Sequence, residues 1–241
     1  MIFFKSLQLE WYKVRKSKIL LLIWLGPMIA LMVGLSGSNE MGTSPWHEAL
    51  MYISMVYGLL FLPLFIGILA GSICRYEHQN NSWKQMLTLP VTRSTVFWSK
   101  YVLILLIVSF LQLMVFVVFR IAGTMAGYGE PFPIGTIAKS MIGSLIAVFP
   151  IAALLLWVGI AWTSFAAPFA LNVIFTLPSI MVANSETYGP IYPWTQPFLM
   201  MMPVNEGEVF YVPLAKLSLV IGGSLIVFLA GGLMYMKKKA I

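Results

Sequence analysis

Forty-three consecutive residues, from Met141 to Ala183, carry no charged side chain. As one α-helix they would extend roughly 64 Å at ~1.5 Å per residue, about two crossings of a ~30 Å hydrocarbon core. A soluble domain is about one-quarter charged. This chain of 241 residues is 10% charged and 60% hydrophobic, so its solvent is lipid. The run must therefore turn once. Thr163-Ser164 is the best place, because a hydroxyl can cap a new helix and Pro168 suits its first turn. This predicts spans at about 137–162 and 166–183. The turn holds no Lys or Arg, so charge lends it no support.

Four further apolar runs predict spans at about 19–36, 49–74, 96–119 and 213–235. Gly26-Pro27 should kink the first, since proline removes a backbone donor and clashes with the preceding turn. The second contains Pro63 and Gly67-x-x-x-Gly71; small residues four apart let helices approach closely, within one chain or across a dimer. The third carries Gln112 mid-span and ends at Arg120, which can snorkel to the outer headgroups. Ahead of the first span, Phe3, Phe4, Leu7, Trp11 and Val14 recur at helical steps with most charges opposite. Residues 2–17 read as an amphipathic helix on the membrane surface, with Trp11 and Tyr12 at headgroup depth; a frayed basic leader is the other reading. No cleavage pattern follows, so the first span reads as retained. Residues 184–212 are Pro-rich and polar at their ends. They read as an external segment, able to dip into the membrane only if covered by protein. The expected fold is all-α, a single membrane domain over 1–241 with six transmembrane helices.

Charge orients it. Of fifteen Lys and Arg, five lie in 1–18, four in 75–100 and three in the C-terminal tail. Placing these twelve inside puts both termini in the cytoplasm, as the positive-inside rule requires. Arg120, Lys139 and Lys216 then fall outside, with six of the eight Glu.

Other classes drop out. The net charge of +7 is scattered at the ends of apolar runs, which fits membrane topology rather than nucleic acid. Cys74 is alone and reads as a small buried side chain. His47 and His78 fall on opposite sides of the membrane, so no metal site is expected, and His78 reads as a solvated helix residue. No G-x-x-x-x-G-K-[ST], H-E-x-x-H or G-x-S-x-G occurs, so no catalytic residue is assigned. The spans are almost free of ionisable groups, which argues against proton or sodium coupling and against intramembrane hydrolysis. Gln112 and Asn172 are the main mid-span polar side chains larger than Ser or Thr. They are candidates for a substrate pathway; for Gln112 the other reading is a hydrogen bond to a neighbouring helix. Energy must reach the chain from a partner.

Residues 75–95 are the inner polar interval between the second and third spans. A short helix over 76–88 would place Trp83, Met86 and Leu87 on one face, and Pro90 would stop it. Thr92 or Ser94 can cap the third span. Such a helix can seat an aromatic in a partner's groove; an ordinary interfacial loop is the alternative.

The residues of this interval, Glu77…Trp83-Lys84-Gln85-Met86-Leu87-Thr88-Leu89-Pro90-Val91-Thr92-Arg93…Lys100, resemble the inner loop of ABC transporter permeases of the second export type. Leu7-x-x-Glu10-x-x-Lys13-x-Arg15-Lys16-Ser17 is similar to that family's interfacial helix. Asn80-Asn81-Ser82-Trp83-Lys84 is similar to the lantibiotic or bacteriocin self-immunity and bacitracin-resistance branch. The resemblance implies a bacterial plasma-membrane permease without cofactor of its own. It implies two ATP-binding cassette subunits holding ATP and magnesium, and a second permease chain, identical or homologous. It makes 77–86 the coupling helix, with Glu77, Trp83, Lys84, Met86, Leu87 and Arg93 as coupling residues, Trp83 and Met86 foremost. The implied cargo is an antimicrobial peptide expelled from membrane lipid to the outside. Glu186, Glu206 and Glu208, with Trp194, could meet a cationic peptide there, or simply be solvated. The alternatives are a non-transporting scaffold or sensor, or an exporter of an unrelated lipid-like substrate.

Overall fold

The computed structural model describes residues 2–36, 44–79, 92–129, 131–164, 166–204 and 208–238, and every regular element among them is helical. Helix α1 (Ile2–Arg15) is followed by a 3₁₀ stretch (Lys18–Trp24) that runs into α2 (Leu25–Leu35). The chain bends by 82° between α1 and Ile19–Leu35, so α1 lies across the end of the first apolar helix rather than extending it. Pro27, expected to kink the first span, sits in the first turn of α2, where its missing N–H falls at the change from 3₁₀ to α winding.

Ser44 caps α3 (Pro45–Ile53) by accepting from the His47 N–H at 3.3 Å. A wide π stretch (Ser54–Phe61) then leads into α4 (Leu62–Gln79). Together they make a continuous helix of 34 residues, Pro45–His78. It is longer at both ends than the span expected at 49–74. Glu48 is correspondingly not a loop residue. It is buried in the first turn of α3, where the helix dipole favours a carboxylate.

The longest helix, α5 (Arg93–Met125), is capped by Thr92, whose hydroxyl accepts from the Thr95 N–H at 3.2 Å. It continues past Arg120, so that residue is no helix end; its guanidinium lies 5.3 Å from the Phe132 ring. Helices α6 (Ile134–Ala147) and α7 (Phe149–Ala161) join at Val148, with Pro150 opening α7, and form one apolar helix of 28 residues, long enough to cross a bilayer. The expected turn follows directly. Trp162 leaves the helix, the Ser164 hydroxyl accepts from the Ala166 N–H at 3.2 Å, and α8 (Ala166–Val182) begins with Pro168 in its first turn.

Beyond α8 the chain does not stay outside the bundle. The short helix α9 (Gln196–Met201) is buried, with Phe198 and Met201 against Gly58 of the π stretch. On its other side Met200 meets Gly143 of α6. A Cβ at Gly58 would come within 3.1 Å of the Met201 sulfur, so any side chain there would press on α9. Helix α10 (Leu214–Lys238) closes the chain, packing on α7 and α5.

Four of these helices are long and apolar enough to cross a bilayer, and the bent α1–α2 pair makes a fifth candidate; α8 is shorter but apolar. Helix α8 shows how such a fold is turned inside out. Asn172, Thr176 and Ser179 share its buried face, while Ile174, Leu177 and Met181 are exposed. Lipid tails solvate leucine as well as protein does, so polar side chains and close packing hold the interior together.

Candidate functional site

At the base of the bundle, α1, the end of α4 and the start of α5 meet around four charges. Glu10 and Lys13 are one turn apart on α1, Glu77 is near the end of α4, and Lys100 is two turns into α5. The Lys100 ammonium donates to Glu10 Oε2 at 2.8 Å, to Glu77 Oε1 at 2.8 Å and to the Ile73 carbonyl at 3.3 Å. That uses all three of its donors. Lys13 donates to Glu10 Oε1 at 2.9 Å and to Glu77 Oε1 at 2.7 Å. Two carboxylates and two ammonium groups leave no net charge. Lys100 is fully buried, Glu77 and Glu10 nearly so, and only Lys13 is partly open. Taking single charges from water costs several kcal/mol each, so these groups are stable here only as a set. A hydroxyl contact between Ser6 and Ser99, 3.0 Å long, extends the seam between α1 and α5.

This arrangement revises the reading of Glu77 as part of the coupling helix. Residues 75–79 belong to α4, and Glu77 turns inward on Lys13 and Lys100. The helix continues past the hydrocarbon-like run because nothing in 75–79 interrupts its backbone bonds and the acidic side chain is neutralised inside. His78, expected to be solvated, is half-buried; its Nε2 is 2.8 Å from the Gly159 carbonyl of α7 and must carry the proton to bond it. With α5 starting at Arg93, the connecting interval shortens to 80–91. Trp83, Lys84, Met86 and Leu87 lie outside the described residues. Both ends of the interval are anchored, however. Glu77 holds one, and at the other the Arg93 guanidinium donates to the Lys237 carbonyl at 3.0 Å. The ends of α1, α4 and α10 and the start of α5 thus gather at one end of the molecule.

The mid-span polar candidates are engaged within the protein. Gln112 accepts from the Tyr57 hydroxyl at 3.0 Å and donates to Ser144 Oγ at 2.8 Å, joining the π stretch, α5 and α6. Asn172 donates to the Pro63 carbonyl and accepts from the Trp194 indole N–H, both at 2.7 Å. Trp194 is therefore buried, stacked at 4.8 Å on Phe175, rather than displayed to the outside. Of the three acidic residues proposed to meet a peptide, Glu186 and Glu208 are exposed and line one pocket of about 150 Å³ with Asn184 and Tyr211. Glu206 lies outside the described residues. Among the described residues no cluster of three His, Cys, Asp or Glu side chains could hold a metal.

Sequence reasoning passed over the charge set as a set. Its members were in view: Glu10 and Lys13 have the spacing of an intrahelical ion pair, and Lys100 sits unusually deep in an apolar helix start. A lysine one turn inside a predicted span signals a buried carboxylate partner, but its identity follows only from packing.

Residues 6–179 match the family of ABC-2 family transporter proteins. Over 195 residues the chain is 24% identical to the bacitracin transport permease protein BCRB of Bacillus licheniformis, an alignment covering 78% of this chain and 88% of that protein. The family match takes in most of the chain, including most of α1, the charge set, the interval 80–91 and the turn before α8. With its long apolar helices, this is a multi-pass protein of the bacterial plasma membrane, and it belongs to the ABC-2 family of transporter permeases.

Proposed function

We propose that this chain is the transmembrane permease subunit of an ATP-driven exporter of amphipathic peptide antibiotics, crossing the membrane six times with both termini in the cytoplasm. The observation that carries the reading is the anchoring of 80–91. The interval leaves from beside Glu77 and returns at Arg93. Glu77 is fixed through Lys13 and Lys100 to α1 and α5, and Arg93 to the end of α10. A push on this interval moves four helices together. That is what a motor on the cytoplasmic face needs, since the chain has no Walker loop of its own.

In this reading two ATP-binding cassette subunits seat the interval through Trp83 and Met86, with Lys84 and Leu87 around them and Arg93 as its rear anchor. ATP and magnesium stay in those subunits, and a second permease chain, identical or homologous, completes the pathway. The likeness to a bacitracin transport permease supports a peptide-like antibiotic as cargo. Glu186 and Glu208 give the outer face a negative pocket suited to a cationic peptide. Gln112, Asn172 and Trp194 shape the pathway from behind, because their polar atoms are engaged in helix contacts.

The same engagement favours a second reading. No described mid-span polar group of this kind is left for cargo, which suits a sensor subunit that transports nothing. One experiment separates the two. The permease is reconstituted with its ATPase, and peptide-stimulated hydrolysis and peptide efflux are measured for the parent and for Trp83→Asp. The exporter reading expects both to be lost in the variant while membrane insertion stays normal. Full activity in Trp83→Asp refutes the docking role, and hydrolysis without efflux in the parent refutes export.

A further inference from the structure

The 82° bend between α1 and the first apolar helix leaves a hollow in its elbow, closed on the far side by α5. The cavity measures about 580 Å³. Leu7 and Trp11 of α1 form one end, Trp24 and Pro27 one wall, and Leu103 to Met114 of α5 the other. We propose that this groove binds one acyl chain of an anionic phospholipid from the leaflet on which α1 lies, with the phosphate held at Arg15.

Length, volume and charge each point to that occupant. From Leu103 to Met114 is eleven residues, about 16 Å at ~1.5 Å per residue; half of a ~30 Å hydrocarbon core is about 15 Å. The groove therefore runs the depth of one leaflet and stops. The space, about 580 Å³ and narrow along α5, admits a single hydrocarbon chain. The lining is apolar apart from Gln8 of α1 and the two indole rings. Gln8, Trp11 and Arg15 follow one another at steps of three and four on α1, so they share a face, and the Arg15 side chain is exposed. An exposed guanidinium one turn beyond Trp11, on the helix face that lines a leaflet-deep apolar groove, fits a phosphate ester carrying an acyl tail. Leu106 and Phe110, both about half exposed, leave the groove open sideways to lipid.

The test needs no ATPase partner, so it stands or falls separately from the export reading. The full-length chain is placed in phosphatidylcholine nanodiscs with a trace of photoactivatable phosphatidylglycerol, and adducts are mapped by mass spectrometry. Adducts should concentrate on Trp24, Leu106, Phe110 and Met114, and Leu106→Trp, which fills the groove, should abolish them. In Arg15→Gln, a surface change that keeps the fold, labelling by phosphatidylglycerol relative to a phosphatidylcholine probe should fall about fivefold, the worth of one basic side chain near a membrane surface. Adducts equally dense on lipid-facing Leu219 and Ile226 of α10 would overturn the site, as would labelling indifferent to Leu106→Trp. An unchanged headgroup preference in Arg15→Gln overturns the anionic assignment. A disulfide between two chains through Leu106→Cys would instead give the groove to a second copy.

Discussion

Lys100→Met tests whether the four charges act as one unit. The substitution keeps the length of the aliphatic stem and removes the only fully buried cation of the set. Glu10 and Glu77 remain, with side chains 3% and 1% exposed, and they face Lys13 alone, itself 29% exposed. The cluster passes from neutral to one net negative charge. Breaking a buried ion pair by removing one partner costs about 3–5 kcal/mol. For a chain of this size each kcal/mol moves the melting temperature by about 2–4 °C, so the variant should melt about 6–20 °C lower. Fluorescence-detected size-exclusion chromatography of the heated, detergent-purified chain reads this directly. Lys100→Met with Glu77→Gln restores neutrality, and replacing both members of a buried pair is often close to neutral. The double variant should recover most of the loss. Lys13→Met should cost less than Lys100→Met, since an open ammonium gains little from its partners. A Lys100→Met protein melting within about 2 °C of the parent would refute the cluster as a structural unit. So would a double variant whose loss equals the sum of the singles, because groups sharing one ion network must couple.

Three further outcomes follow from the same geometry. Asn172→Leu strands the Trp194 N–H and the Pro63 carbonyl, each a buried polar group worth about 1–3 kcal/mol when left unmade, and should quench less and melt lower by Trp fluorescence. Gly67→Ala places a Cβ 2.5 Å from Asn172 Nδ2, so it should destabilise by about 1–3 kcal/mol in the same thermal assay; a neutral result would contradict the contact between α4 and α8. The pair Glu186→Gln and Glu208→Gln should raise the peptide concentration needed for half-maximal ATPase stimulation and leave basal hydrolysis unchanged. An unaltered peptide response would remove the outer pocket from the pathway.

Much of the helical plan was legible in the residues, because entry into lipid is decided locally. Each apolar side chain favours hydrocarbon wherever it is, and each backbone amide must find its partner within its own helix. The turn at Thr163-Ser164 and the Thr92 cap were readable for the same reason, as one hydroxyl satisfies an amide two or three residues away. Local signals failed where a helix ran beyond its apolar stretch. Arg75, Glu77 and His78 look like the start of a loop, yet they continue α4, because Lys13, Lys100 and the Gly159 carbonyl meet two of them inside the protein. Residues 184–204 look external, yet α9 is packed between the π stretch and α6, with Gln196 donating to the Pro190 carbonyl at 3.1 Å.

The sequence by itself thus determined that the chain lives in a membrane, where most of its helices run and which family it resembles. It did so because those properties sum over neighbouring residues. Only the tertiary structure decided what Lys100 is for. Its partners lie 90 and 23 residues away in the chain, on two other helices. Whether they meet it depends on how three helices are rotated and staggered against one another. No local pattern carries that information; close packing and the cost of an unpaired buried charge do.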